Sequence, residues 1–320
     1  MDDNNSQEFV AGQEITMKVT LTREQLSMLN EWSAMVPTLY LLDICVVGAT
    51  KLSAESLDKQ ARKASLIATL RDLDRPNNCV SYLCALMEKV SDSRGLLTFD
   101  DLKTQILADI SSLRGFFKNA RIVEDDDFLI GFLEELMGRP IENKRAEFLN
   151  FLEILNNDFK LQNPISPTQR LCKAKEIIQE ASALSISIQH PIVTISLACL
   201  YGNAAAKKLM KFKADPDKFD SENALADVLL ISRFAKMKLE IEYYGRNGAP
   251  YQRVHFITDD NGLSELVKNF KARSVIHKDK FDGRETQLTM TVELEKLLIE
   301  ASPEDYEEIT NLLSQEEVDN

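Results

Sequence analysis

Three aspartates sit where an ionised side chain is expensive. Asp43 interrupts the run Tyr40-Leu41-Leu42-Asp43-Ile44-Cys45-Val46-Val47. Asp227 lies in Ala224-Leu225-Ala226-Asp227-Val228-Leu229-Leu230-Ile231, apolar nearly all round, and Asp259-Asp260 follow directly on residues 254–258. A carboxylate in such a setting costs several kcal/mol unless it is paired, neutralised or bound to a metal. Gathered together with no Lys or Arg nearby, the three would repel one another. A divalent cation is the usual resolution, and oxygen-only ligands favour Mg²⁺ or Mn²⁺. Each position also has an ordinary structural use. Asp43 can cap residues 44–50, Asp260 can cap a helix beginning near Gly262, and Asp227 can sit at the rim of a less buried helix.

Gathering these residues requires elements that end at a common edge. Residues 40–47 read as a buried strand ending at or near Asp43. Residues 254–258 read as a strand ending just before Asp259, with a helix over 261–271 after it. Residues 222–243 read as one long helix carrying Asp227. Residues 192–196 are β-branched and predict a strand, followed by helices through Tyr201 and over 203–212. Arg273-Ser274-Val275-Ile276-His277 predicts a last strand, and 286–292 fits either type. Strands alternating with helices over 186–278 imply a parallel sheet, with ligands at the carboxyl ends of its strands. The fold class expected is α/β: a parallel sheet flanked by helices, helix-rich overall.

The rest of the chain is organised around that sheet. Alternation over 15–21 predicts a strand, and Thr22 with Gln25 forms a capping box for a helix to about Met35. Residues 50–186 read almost wholly as helix, over 53–72, 77–91, 99–118, 126–137, 142–158 and 167–184. The segment 124–127 (Glu-Asp-Asp-Asp) is either a cation site or an acidic helix start. Ser302-Pro303 opens a terminal helix. The division expected is an N-terminal segment (1–37), a discontinuous sheet domain (38–48 and 186–278), a helical insertion (49–185) and an acidic C-terminal segment (279–320).

These residues resemble a known family. Leu41-Leu42-Asp43-Ile44-Cys45-Val46-Val47 is similar to the first PIN-domain motif, an apolar strand running into Asp-x-Asn/Ser/Cys-apolar-apolar. Residues 223–231 resemble that family's later Asp-bearing helix. Phe256-Ile257-Thr258-Asp259-Asp260-Asn261-Gly262-Leu263 resembles its closing motif, strand-Thr-x-Asp-x-x-Leu/Phe. The resemblance covers about a third of the chain. It implies a PIN-like fold and a Mg²⁺- or Mn²⁺-dependent ribonuclease, with Asp43, Asp227 and Asp260 as catalytic metal ligands and Asp259 as an outer or water-bound ligand of the metal. The family also has an acid on the helix after its second strand. In the stretch taken to match, 196–202, Cys199 stands in that place. The acid could instead come from the insertion, as Glu147 or Glu153, or more weakly from Asp220, two helical turns before Asp227.

Composition bounds the partners. The net charge of −13 is concentrated at the ends: residues 1–14 hold −4 and residues 293–320 hold −9, leaving a neutral body. A basic groove within that body is compatible with RNA. Lys207, Lys208, Lys211, Lys213 and Lys218, with Arg233, are candidate phosphate contacts or a solvated helix face. The five cysteines include no CxxC pair, no apolar run approaches the ~20 residues of a membrane helix, and the start lacks the features of a signal peptide. A cytoplasmic protein with reduced thiols is expected. Three functions compete: the metal-dependent nuclease, a PIN-like interaction module that has lost activity and binds a protein partner through its helical insertion, and a helical adaptor whose motifs match by chance.

Overall fold

The computed structural model describes residues 19–91, 97–137, 144–280 and 283–314. The chain divides into two units, residues 1–36 and 37–320. The described part of the first unit is helix α1 (Arg23–Met35). It opens on the expected capping box: the Gln25 N–H donates to Thr22 Oγ1 and the Thr22 N–H to Gln25 Oε1. Of the strand expected over 15–21, residues 15–18 lie outside the described residues, and residues 19–21 are not strand.

The second unit is built on a four-stranded, fully parallel sheet. It begins with β1 (Thr38–Leu42), α2 (Ile44–Ala49), α3 (Ala54–Asp58), α4 (Ala61–Asp72), β2 (Asn78–Ser81) and α5 (Leu83–Ser91). It continues through α6 (Phe99–Phe116), β3 (Arg121–Ile122), α7 (Asp126–Leu136), α8 (Arg145–Asn157) and α9 (Pro167–Ala183). Then come α10 (Pro191–Leu200), α11 (Ala204–Met210), α12 (Ser221–Arg246), β4 (Arg253–Ile257) and α13 (Asn261–Leu266). A hairpin of β5 (Phe270–Lys280) and β6 (Gly283–Val292) precedes α14 (Leu294–Leu297) and α15 (Pro303–Leu313).

The sheet order is β3-β2-β1-β4. Thr38 pairs with Asn78 on one side of β1, and Leu42 with Ile257 on the other. Successive side chains of β1 alternate between faces, so it feeds two cores. Leu39 and Leu41 pack with Phe151, Ile195 and Ala224, while Leu42 packs with Val46, Tyr82 and Ile110. Helices therefore cover both faces, as a buried parallel sheet requires.

Three expectations are corrected. Residues 49–185 are not a helical insertion, because they supply β2 and β3, two of the four strands of the sheet. The strand expected over 192–196 is the middle of α10, in which every residue is buried. Pro191 at its first turn and the His190 ring nitrogen, which accepts the Ile192 N–H at 3.1 Å, start that helix. Burial on all sides then outweighs the weak strand preference of Ile192, Val193, Thr194 and Ile195. The strand at 273–277 exists, but in β5, which pairs antiparallel with β6 outside the parallel sheet. The open segment 286–292 belongs to β6. The acidic C-terminal segment also contributes to the core: Leu297, Leu298, Ile309 and Leu313 are buried in the cluster that contains Leu39.

Candidate functional site

Asp43 is the first residue past β1. It caps α2, with Oδ1 accepting the Cys45 N–H at 3.4 Å, and its own N–H donates to the Ile257 carbonyl at 3.0 Å. Capping and burial therefore coexist at this residue, which is only 4% exposed. Asp260 caps α13 by accepting the Leu263 N–H at 3.0 Å. Thr258 ties the two strand ends together. Its hydroxyl donates to Asp43 Oδ2 and accepts the Asp260 N–H at 2.9 Å. Gly262 lets α13 approach α11 closely, since a Cβ there would stand 2.8 Å from the Ala205 carbonyl oxygen.

Asp227 completes the trio from α12. Burial pushes its carboxyl up to about 6, with Lys211 opposing and Asp260 and Asp43 adding to the rise. Asp43, Asp227 and Asp260 are thus close enough to act on the same ionisation. The expectation that they have no basic neighbour is corrected. Lys211 Nζ lies 2.8 Å from Asp227 Oδ2 and 3.7 Å from Asp260 Oδ2. Lys211 ends α11 in the left-handed conformation (φ 54°, ψ 28°), which costs a non-glycine residue ~1–2 kcal/mol. Burial alone would lower its pKa, but Asp227 and Asp260 outweigh that and hold it above the ordinary value.

A fourth acid joins them that the sequence reading missed. Glu88, on α5 directly after β2, is hydrogen-bonded to the Asp43 side chain. Burial, reinforced by Asp43 and Asp227, pushes its carboxyl up to about 9, so at neutral pH it keeps its proton. Its Oε2 is buried without a hydrogen-bond partner. Glu88 is thus an acid on the helix that follows the second strand of this sheet. Cys199, by contrast, is 1% exposed inside α10 in the apolar core, and burial pushes its thiol up. Asp220 is spent capping α12, accepting the Asn223 N–H at 2.9 Å, and Glu153 accepts the Ser221 hydroxyl at 3.3 Å.

The remaining candidates fall around this centre. Asp259 is engaged by Arg62 Nε at 2.8 Å and Lys63 Nζ at 2.5 Å, both from α4. Lys207 and Lys208 are exposed on α11, and Lys208 lines a cleft of ≈ 410 Å³ with Cys45, Asp260 and Asn261. A second cleft of ≈ 370 Å³ is lined by Cys45, Glu88 and Ala226. Arg233 turns to the Ser91 hydroxyl at 3.3 Å. The acidic stretch 124–127 is a helix start: Asp125 caps α7, Asp126 pairs with Arg114 at 2.8 Å, and Glu124 accepts from Ser81 and from the Tyr82 N–H.

Among the described residues, no three His, Cys, Asp or Glu side chains are drawn together tightly enough to hold a metal ion. The Lys211 ammonium, paired with Asp227 and close to Asp260, already supplies positive charge among these carboxylates. The donor set is nonetheless all oxygen, and the orphaned Glu88 Oε2 suits a hard cation better than an apolar wall. No family model, curated protein or solved structure matches the chain. Among the described residues, no helix is long and apolar enough to cross a membrane.

Proposed function

We propose that the chain is a PIN-like, Mg²⁺- or Mn²⁺-dependent nuclease acting on RNA. The observation that carries this reading is the meeting of Asp43, Glu88, Asp227 and Asp260 at the carboxyl ends of β1 and β4, where parallel sheets place ligands. Their order along the chain supports the resemblance: an acid after the first strand, one on the helix after the second, one on a late helix and one in Thr-x-Asp. These four residues would hold the cation. The chemistry it supplies when bound is Lewis acidity toward a phosphoryl oxygen and activation of water, with no general-base histidine needed. Thr258 orients Asp43, Glu88 would have to give up its proton to serve as a ligand, and Lys211, once freed from Asp227, would be placed to meet the substrate phosphate.

The second reading, an inactive PIN-like interaction module, is favoured by one observation: the Lys211–Asp227 pair already neutralises the site. A calorimetric Mn²⁺ titration, run beside an assay of single-stranded RNA cleavage with and without EDTA, separates the two. The nuclease binds Mn²⁺ and cleaves only when metal is present. Absence of binding at millimolar Mn²⁺ rejects the nuclease and leaves the module. Lys211→Met should bind Mn²⁺ about tenfold more tightly than wild type, because the ion no longer displaces a tethered ammonium; tenfold is ~1.4 kcal/mol. The same variant should melt at a lower temperature without metal, because Asp227 loses its partner. Unchanged Mn²⁺ affinity would show that Lys211 does not compete for the site.

A further inference from the structure

Helix α12 carries more than Asp227. At steps of three or four residues along one face it presents Ile231, Phe234, Lys238, Glu242 and Arg246. The Asp260 end of α13 does the same, with Ser264 one turn on and Lys268 in the 3₁₀ turn that follows. Both stripes leave the carboxylates and enter a cleft of ≈ 490 Å³ bounded by α12, β4 and the start of β5. At ~1.5 Å of rise per residue, Phe234 stands about 10 Å and Arg246 about 29 Å along α12 from Asp227.

The floor of the cleft is apolar, made by Phe234, Val254, Phe256 and Phe270. Five cations line it (Lys238, Arg246, Lys268, Lys271 and Arg273), against Glu242 as the acid among the described lining residues. Lys238 pairs with Glu242 at 2.5 Å and Lys271 with Glu293 at 2.7 Å. Arg246, Lys268 and Arg273 have no acidic partner among the described residues, and all three are exposed. In a chain of net charge −13, such a cleft concentrates a positive field. Burial, then Lys238, holds the His255 imidazole in its wall below the ordinary range. Toward the same end of α12 as Arg246, Tyr243 and Tyr244 are each 61% exposed and stand edge to face at 5.6 Å. Tyr243 lies one helical turn from Arg246.

We infer that this cleft binds a single-stranded polynucleotide, its phosphates on Arg246, Lys268 and Arg273 and its bases on the exposed tyrosines, and so extends the carboxylate site along the α12 and α13 stripes. Cations that follow a backbone, beside aromatic faces that accept any base, are the general means of holding single strands. The assignment of substrate class rests on the nuclease reading, whereas the binding it predicts needs no metal.

The test is fluorescence anisotropy of a labelled single-stranded RNA, with a DNA of the same sequence as a second arm, both in EDTA. Wild type should bind, and R246E/K268E/R273E should bind at least about tenfold more weakly, with a salt slope shallower by about 2, from ~0.7 for each phosphate no longer neutralised. Tyr243→Ala should cost about tenfold without changing the salt slope. A protein that binds RNA in EDTA but never cleaves it with metal retains the cleft and loses only the nuclease. The milder R246A/K268A double variant, checked by its melting temperature, guards against a folding artefact and should move in the same direction. Binding by R246E/K268E/R273E within about twofold of wild type overturns the inference, because reversing three phosphate-binding charges cannot leave affinity intact. Equal competition by polyglutamate also overturns it, since the cleft would then hold an acidic peptide.

Discussion

Asp43→Asn should remove metal-dependent cleavage while leaving the fold standing. The amide oxygen can still accept the Cys45 N–H, and the amide nitrogen that replaces Oδ2 can donate to the Thr258 hydroxyl, so the α2 cap and the clasp between β1 and β4 survive. What disappears is a charge that the cation needs. Metal-centred stabilisation of a phosphoryl transition state amounts to several kcal/mol, so activity should fall by about 10³-fold. The apo-protein should melt no lower than wild type, because a carboxylate crowded by Glu88 and Asp227 is lost. Cleavage rates and melting curves from nuclease-free preparations decide this. Equal cleavage by the two proteins would sink the enzyme reading.

The second large effect concerns Glu88 and pH. Its carboxyl titrates near 4.5 in the unfolded chain and at about 9 in the fold. The folded state therefore holds the extra proton across that window, and stability falls as pH rises. The contribution is fully present below about 4.5 and is lost on passing through about 9. Asp227, raised to about 6, adds a loss of the same sign at the acid end. Between mildly acidic and alkaline pH the decline should reach several kcal/mol. Glu88→Gln keeps the shape and cannot ionise, so its stability should be nearly flat there and exceed wild type at alkaline pH. Urea unfolding across a pH series measures both proteins. Parallel curves would show that Glu88 is not the buried proton carrier. Saturating Mn²⁺ should reverse the wild-type trend, because the ion binds the deprotonated acid, and should rescue Glu88→Gln far less.

Three of the four acids were legible in the sequence because each breaks an apolar run or follows one directly. Thr258-Asp259-Asp260 also announced its geometry, a hydroxyl two residues before a capping carboxylate. Glu88 announced nothing. Within Leu83-Cys84-Ala85-Leu86-Met87-Glu88-Lys89-Val90 it reads as one half of an ordinary charged face, and its burial is created by packing against Asp43. Strand β2 was hidden for a related reason. Its four residues are all buried and run into α5 with Tyr82 as the sole break, so neither alternation nor a turn marks it. The next β-branched stretch after β1 that reads as a strand lies in α10, so local pattern points to Cys199, which is buried in the apolar core, and not to Glu88. Lys211 was legible as one of a basic cluster, but its pairing with Asp227 and Asp260 was not, because that depends on a left-handed helix end that local pattern does not encode.

The Thr258–Asp43 bond has a kinetic consequence. It joins residues 215 apart in the chain, whereas the register of β1 with β2 closes a loop of about 40 residues. Loop-closure entropy must be overcome before a distant contact can repay it. The β1–β2 side of the sheet can therefore assemble early, while the β4 edge must wait for nearly the whole intervening chain. During synthesis, Asp43 and Glu88 emerge long before Asp227 and Asp260. The constellation cannot exist on a partly made polypeptide, so any chemistry it performs begins only once the far strand has docked.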